Sequence, residues 1–265
     1  FGLVAAFHFL SYEGITGRPF LLYGYTFLIN IAVLGVIFIA PRLGVIQVAA
    51  GLATFLQLSL WTLYKLPPER LGSALVIYLV FGILHAAFPL VWRRLREGDL
   101  AIPRAFSPWF PPITILLMLL PVLRLEEVPF IIWPAILLAD LCVIAAAIVT
   151  GMLLPLVAAL VLTLGVVFSW LVKVPAQITE LPLFLLVLGG FSAVFAIAGC
   201  WLAKRYPGAW RLHGEGPGSA NDQVAAALPV LSAALPFLLL IMATLRLPVL
   251  NPSPVFGLGL LLVLL

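Results

Sequence analysis

The sequence predicts an all-α fold: a polytopic transmembrane helical bundle built as two parallel four-helix repeats, with partial helices at both ends. Three observations carry this reading. Hydrophobic residues fill 64% of the 265 positions and charged residues only 9%, against roughly 45–50% and about 25% in soluble domains, so lipid is the solvent this chain requires. Apolar windows of about 20 residues recur along it, the length a helix needs to cross hydrocarbon with its own backbone groups satisfied. The run from Leu153 to Trp170 has none of the apolar–polar alternation of a barrel strand.

The third observation is a long internal repeat. Pro19-Phe20 opens an apolar run containing Asn30, and Pro129-Phe130, 110 positions later, opens another with Asp140 at the matching place. Val48-Ala49-Ala50 recurs as Val157-Ala158-Ala159, Thr54 as Thr163 and Trp61 as Trp170, all 109 apart. Lys65-Leu66-Pro67 returns as Lys173-Val174-Pro175, and Gly82, Ala86 and Phe88 return as Gly189, Ala193 and Phe195. A shared period held across so many residue types marks a duplicated structural unit.

The expected organisation is a partial helix at 1–10, a first repeat at 19–125, a second at 129–247 and the start of a further helix at 255–265. Within the first repeat, helices are expected near 20–40, 45–64, 71–91 and 109–124, and within the second near 129–149, 151–172, 181–203 and 223–246. The short helix at 109–124 starts on Pro111-Pro112, where a missing amide donor is tolerated because the first turn leaves donors unpaired anyway. Thr150-Gly151 divides 129–172 into a tight hairpin, and reading that stretch as one tilted helix would invert every later orientation. Pro254 and Phe256 resemble the openings of the two repeats and suggest a third copy. The chain begins at Phe1 with no initiator Met and stops at Leu265 inside an apolar run, so it reads as a piece of a longer array.

Four helices per unit is an even number, so both copies enter the membrane in the same direction, as parallel repeats related by an axis along the membrane normal. With the hairpin counted as two helices, the loops at 41–44, 92–108 and 204–222 share one side and hold eight basic residues, against six on the other. The positive-inside tendency makes the first side cytoplasmic. The net charge of +4 is spread among loops and points to phospholipid headgroups as partners, with no nucleic acid.

Asp140 is the one carboxylate deep in an expected helix, where a charge costs about 2.5–3.5 kcal/mol even on a lenient insertion scale. Either it relays protons or cations or binds a polar substrate, or it is a hydrogen-bonded Asp fixing helix packing. The neutral Asn30 at the matching position favours packing. His85, whose repeat partner is Ser192, is a third polar intramembrane candidate, but no companion ligands stand at helical spacing, and no metal or other cofactor is expected. Arg93, Arg94 and Arg96 beside Trp92, with Lys204 and Arg205 at the matching end of the second repeat, are headgroup-binding candidates that serve equally as topology anchors. Pro89, Pro121, Pro134, Pro155, Pro229 and Pro236 fall within or near helices, where they can kink the backbone. His213 to Ser219 is glycine-rich but lacks the lysine of a phosphate loop and reads as a connector. Cys142 and Cys200 lack metal-type spacing and are expected as buried, unpaired thiols. Glu126-Glu127 beside Arg124 is the one polar cluster near an interface, and a solvated loop explains it, so no catalytic residue and no enzyme activity are expected.

The runs Phe20 to Leu34 and Leu52 to Trp61, and the segment Leu231 to Leu247 that closes on Arg246-Leu247, resemble a bacterial family of large multi-pass membrane proteins catalogued as domain of unknown function 2339. The resemblance implies a long helical array in the bacterial inner (cytoplasmic) membrane and carries no catalytic residues to this chain. Two functions then compete, the first being the expected one and the second its alternative. One is transport or flipping of a polar or lipid-linked envelope component between the repeats, with Asn30 and Asp140 facing water. The other is a non-catalytic scaffold or assembly protein with membrane-protein partners and a dry, closely packed interior.

Overall fold

A computed structural model describes residues 2–96, 100–173, 181–205, 220–246, 255 and 257–259. Among them every element is helical: α1 (Gly2–Phe9), α2 (Glu13–Thr16), α3 (Pro19–Ile39), α4 (Val45–Tyr64), α5 (Leu71–Leu95), α6 (Ala101–Phe106), α7 (Phe110–Arg124), α8 (Ile132–Thr150), α9 (Leu154–Lys173), α10 (Leu181–Arg205) and α11 (Ala220–Arg246). Eight of the described helical spans are long and apolar enough to cross a membrane. The chain is a multi-pass integral membrane protein.

The helices expected between residues 1 and 246 form among the described residues, and the one expected at 109–124 starts well before its sequence pattern indicates. The span expected at 109–124 runs as Ala101–Arg124, broken by a 3-10 turn at Ser107–Trp109. The break follows from Pro108, which cannot donate to the α-helical ladder, and α7 then restarts at Phe110-Pro111-Pro112. Four of the six helix prolines, Pro89, Pro121, Pro229 and Pro236, lie inside helices. Pro134 and Pro155 instead occupy first turns of α8 and α9, where no intrahelical donor is lost.

The chain divides into two compact units, Phe1–Ala146 and Ala147–Leu265, with the division inside α8. In the first, α3, α4, α5 and α7 pack around a shared interior, with Tyr23, Leu58, Trp61, Tyr78, Phe81, Phe110 and Met118 almost fully enclosed. Two close approaches set this packing. A Cβ on Gly51 of α4 would overlap the ring of Phe110, and one on Gly82 of α5 would overlap the hydroxyl of Thr114 on α7. Small residues at these points let the helix backbones meet, the usual device where lipid removes any hydrophobic drive for association.

Arginines close two helix ends of this unit. Arg124 donates to the carbonyls of Thr62 (2.7 Å) and Leu66 (2.9 Å) at the end of α4, and Arg96 donates to Phe38 O in the last turn of α3 (3.1 Å). Terminal carbonyls lack intrahelical donors and carry the negative end of the helix dipole, so a guanidinium satisfies both needs.

In the second unit, α10 and α11 pack most extensively. Gly199 of α10 faces Pro229 of α11, with room for no more than a Cβ at 3.1 Å from the proline nitrogen. The unit opens with the hairpin that Thr150-Gly151 predicts. Gly151 has φ 74°, the left-handed conformation, and its amide bonds Ala147 O at 2.9 Å. Asn221 holds the turn from the side: its Nδ2 donates to Gly151 O at 2.7 Å, and its Oδ1 accepts from Leu153 N at 3.5 Å. Gly151→Ala is expected to cost about 1–2 kcal/mol, the penalty of a left-handed L-residue, read as a lower midpoint of thermal unfolding in detergent micelles. An unchanged midpoint would mean that the turn relaxes freely.

The cysteines are free, but their expected burial is corrected: Cys142 is half-buried and Cys200 exposed. Cys200 thus sits on an outward helix face, which in a membrane is an apolar surrounding as well. The possible third copy at Pro254 and Phe256, the glycine-rich 213–219 segment and Arg211 lie outside the described residues.

Candidate functional site

The interior of the first unit is lined by a row of uncharged polar side chains along α4. Gln47, Thr54, Gln57 and Thr62 all fall on its buried face and are fully enclosed. The row extends from one end of the helix to the other, and each member meets a different neighbour.

At one end, the Gln47 side-chain amide donates to His85 O at 3.1 Å, with His85 Nδ1 and Ser107 Oγ each at 3.4 Å. The backbone carbonyl fixes the orientation of the amide, since only its nitrogen can donate there. The second amide hydrogen is shared between His85 Nδ1 and Ser107 Oγ, which stand at equal distance. The imidazole packs against Phe110 with centroids 4.8 Å apart, and Phe110 stacks on Phe55 at 5.8 Å. The helix break at Ser107–Trp109 is what brings the Ser107 hydroxyl to this point.

Midway, Asn30 of α3 donates through Nδ2 to Thr26 O (2.8 Å) and to Thr54 Oγ1 (3.0 Å). Thr54 in turn donates to Ala50 O, and Thr26 donates to Leu22 O with Gln57 Oε1 at 3.3 Å. Toward the far end, Thr62 and the Tyr78 hydroxyl of α5 share a short hydrogen bond. Beyond it Trp61 donates its indole N–H to Thr16 O at 3.3 Å.

Three atoms in this row, Asn30 Oδ1, Gln47 Oε1 and His85 Nε2, are buried without a hydrogen-bond partner. Two of them belong to the bonded neighbours Gln47 and His85 at one end of the row and the third to Asn30 midway along it, and no group of three or more His, Cys, Asp or Glu that could hold a metal lies among the described residues.

Of the residues singled out by sequence, Asn30 on α3 and His85 on α5 thus bond to different members of the buried row on α4, Thr54 and Gln47. Asp140 is equally enclosed, at 0% exposure on α8, and interacts with the protein around it. Arg93 and Arg94 are exposed at the end of α5, whereas Arg96 is occupied in closing α3. Lys204 and Arg205 are exposed at the end of α10, with the Arg205 guanidinium 5.7 Å from the ring centre of Trp201, a cation–π arrangement within one helical turn.

Gln47 and Gln57 escape a reading that searches for charged groups and repeat partners. Their signal was present all the same. Two glutamines ten positions apart inside an otherwise apolar span must find partners or leave amides unsatisfied in hydrocarbon.

No protein-family model, curated protein or solved structure matches this chain.

Proposed function

We propose that this chain is a non-catalytic scaffold or assembly protein of the bacterial inner membrane, related to the multi-pass family catalogued as domain of unknown function 2339. The observation that carries the reading is the enclosure of Asn30 and Asp140, both at 0% exposure, together with the use of both Asn30 amide hydrogens on Thr26 O and Thr54 Oγ1. An amide nitrogen so bonded ties α3 to α4 through Thr54. The rest of the row on α4 serves in the same way, joining α4 to α3 through Thr54 and Gln57, and to α5 through Gln47 and Thr62.

A second reading, transport or flipping of a polar or lipid-linked envelope component, has one observation in its favour. The unpartnered Asn30 Oδ1, Gln47 Oε1 and His85 Nε2 are atoms that water or a polar substrate could satisfy. The two readings separate on water access. Single cysteines at positions 30 and 140, with Cys142 and Cys200 replaced by Ser, are to be treated with a small membrane-impermeant thiol reagent. The scaffold reading expects both to stay unlabelled in folded protein. Labelling at both would overturn it and favour a water-filled path.

A further inference from the structure

The first unit carries a cleft between the N-terminal ends of α3 and α5 that is unrelated to the buried row. It has a cavity of about 410 Å³ lined by Arg18, Arg70 and Ser73, with Pro19, Phe20 and Leu21 forming one wall. Arg18 immediately precedes α3 and Arg70 immediately precedes α5, and neither side chain caps its helix. Unlike Arg96 and Arg124, neither guanidinium has a hydrogen-bond or ion-pair partner among the described residues. Two guanidiniums unpaired among the described residues and a hydroxyl, beside two helix N-termini, form a site for an oxyanion.

An apolar groove continues from this cavity, sharing Phe20 with it. Phe20, Gly24 and Phe27 of α3 face Val76, Val80 and Phe81 of α5 across about 210 Å³. The spacing of these residues places them on one face of each helix, so the groove descends along the helix axes for roughly 10 Å, from 1.5 Å of rise per residue. Its floor is open at Gly24, where an added Cβ would meet nothing within 4 Å. Tyr23 lines the groove as well, and its hydroxyl is buried with no hydrogen-bond partner, the residue being 2% exposed. Its ring packs edge-on against Trp61 and Phe81, so Tyr23 backs the groove from the protein side. Cationic head and apolar trough together have the polarity of a phospholipid, the one amphiphile always present around a membrane protein.

We propose that this cleft binds a single phospholipid, its phosphodiester held by Arg18, Arg70 and Ser73 and one acyl chain lying in the groove at Gly24. The site stands whether the buried row serves assembly or transport.

The test uses the full chain purified in detergent, delipidated and titrated with phosphatidylglycerol, with bound lipid counted by native mass spectrometry. Arg18→Gln with Arg70→Gln removes the head contacts, and Gly24→Leu fills the groove where there is room for it. Each change is expected to weaken lipid binding about tenfold or more while the thermal unfolding midpoint stays near that of the parent chain. Inorganic phosphate, added alone, is expected to compete poorly. Unchanged lipid binding in both variants would overturn the site and leave the arginines as interface anchors. Loss in the arginine variant only, with effective competition by inorganic phosphate, would identify a free-phosphate site and overturn the lipid assignment. If either variant unfolds, Ser73→Ala and Gly24→Ala, which disturb less, are held to the same expectation at reduced size.

Discussion

Replacing Gly51 by Val is expected to destabilise the first unit by more than the 1–3 kcal/mol that overpacking typically costs. A Cβ there would overlap two carbons of the Phe110 ring and stand 3.1 Å from His85 Nδ1. Phe110 has nowhere to go. It is 1% exposed and is held between Phe55, 5.8 Å away, and His85, 4.8 Å away. Displacing it would also disturb the imidazole that receives the Gln47 amide, so steric and hydrogen-bonding losses add. The measurement is the unfolding midpoint in detergent, against Gly35→Ala as control. Gly35 has open space at its Cβ position, and the alanine there should be neutral or gain up to about 1 kcal/mol of helix propensity. Gly51→Ala combined with Phe110→Leu should recover part of the loss, because the smaller side chain vacates the overlap. Equal midpoints for Gly51→Val and Gly35→Ala would show that α4 and α7 do not meet at this point.

Trp61→Ala is the second large effect, at about 3–5 kcal/mol by the precedent of buried aromatic truncations. Trp61 is wholly enclosed, meets Tyr23 edge-on at 5.3 Å, and donates to Thr16 O. Truncation opens a cavity beneath α3 and leaves the Thr16 carbonyl without this donor. Trp61→Phe should cost less, about 1–2 kcal/mol, since the ring is largely retained and chiefly the N–H is lost. A second expected sign is faster proteolysis in α2, near Thr16, in both variants. Trp170, 109 positions further on, 3% exposed and 5.8 Å from Phe184, gives the comparison in the second unit. Trp170→Ala should lower stability there without exposing Thr16. A Trp61→Ala midpoint within about 1 kcal/mol of the parent would mean that the neighbouring helices close over the gap.

The membrane helices were legible in the sequence because hydrocarbon imposes length and apolarity, and both are visible residue by residue. The hairpin was legible for a local reason: Gly151 is the residue type that takes φ 74° without strain. Ala101–Phe106 was not legible as the start of a broken span, because Pro103, Ser107 and Pro108 each read as loop formers and only packing decides that the chain stays helical around them. Burial was misjudged for Cys200, since in a wholly apolar helix composition does not distinguish the lipid face from the protein face. The same ambiguity hid the row on α4. Asn30 drew notice because the residue 110 positions on is Asp140, whereas the residues 109 positions beyond Gln47 and Gln57 are the apolar Leu156 and Val166, so a search by the expected period pointed away from them. The arginines show a further limit, for a loop charge count gives equal weight to Arg93, which is exposed, and Arg124, which is bonded to two carbonyls.

The threonine hydroxyls in and around the buried row bond within their own helices: Thr26 to Leu22, Thr54 to Ala50, Thr62 to Leu58 and Thr114 to Phe110. Such groups are content in lipid before any neighbour arrives. Gln47 differs, because its amide bonds go to His85 and Ser107, 38 and 60 positions ahead. At the moment α4 leaves the insertion machinery, those partners are still to be delivered, and the helix carries an amide that the bilayer cannot satisfy. The order of arrival in the membrane therefore matters for this unit: α4 is the helix that has to wait at the interface, or beside a chaperone, until α5 and the Ser107 turn have followed it in.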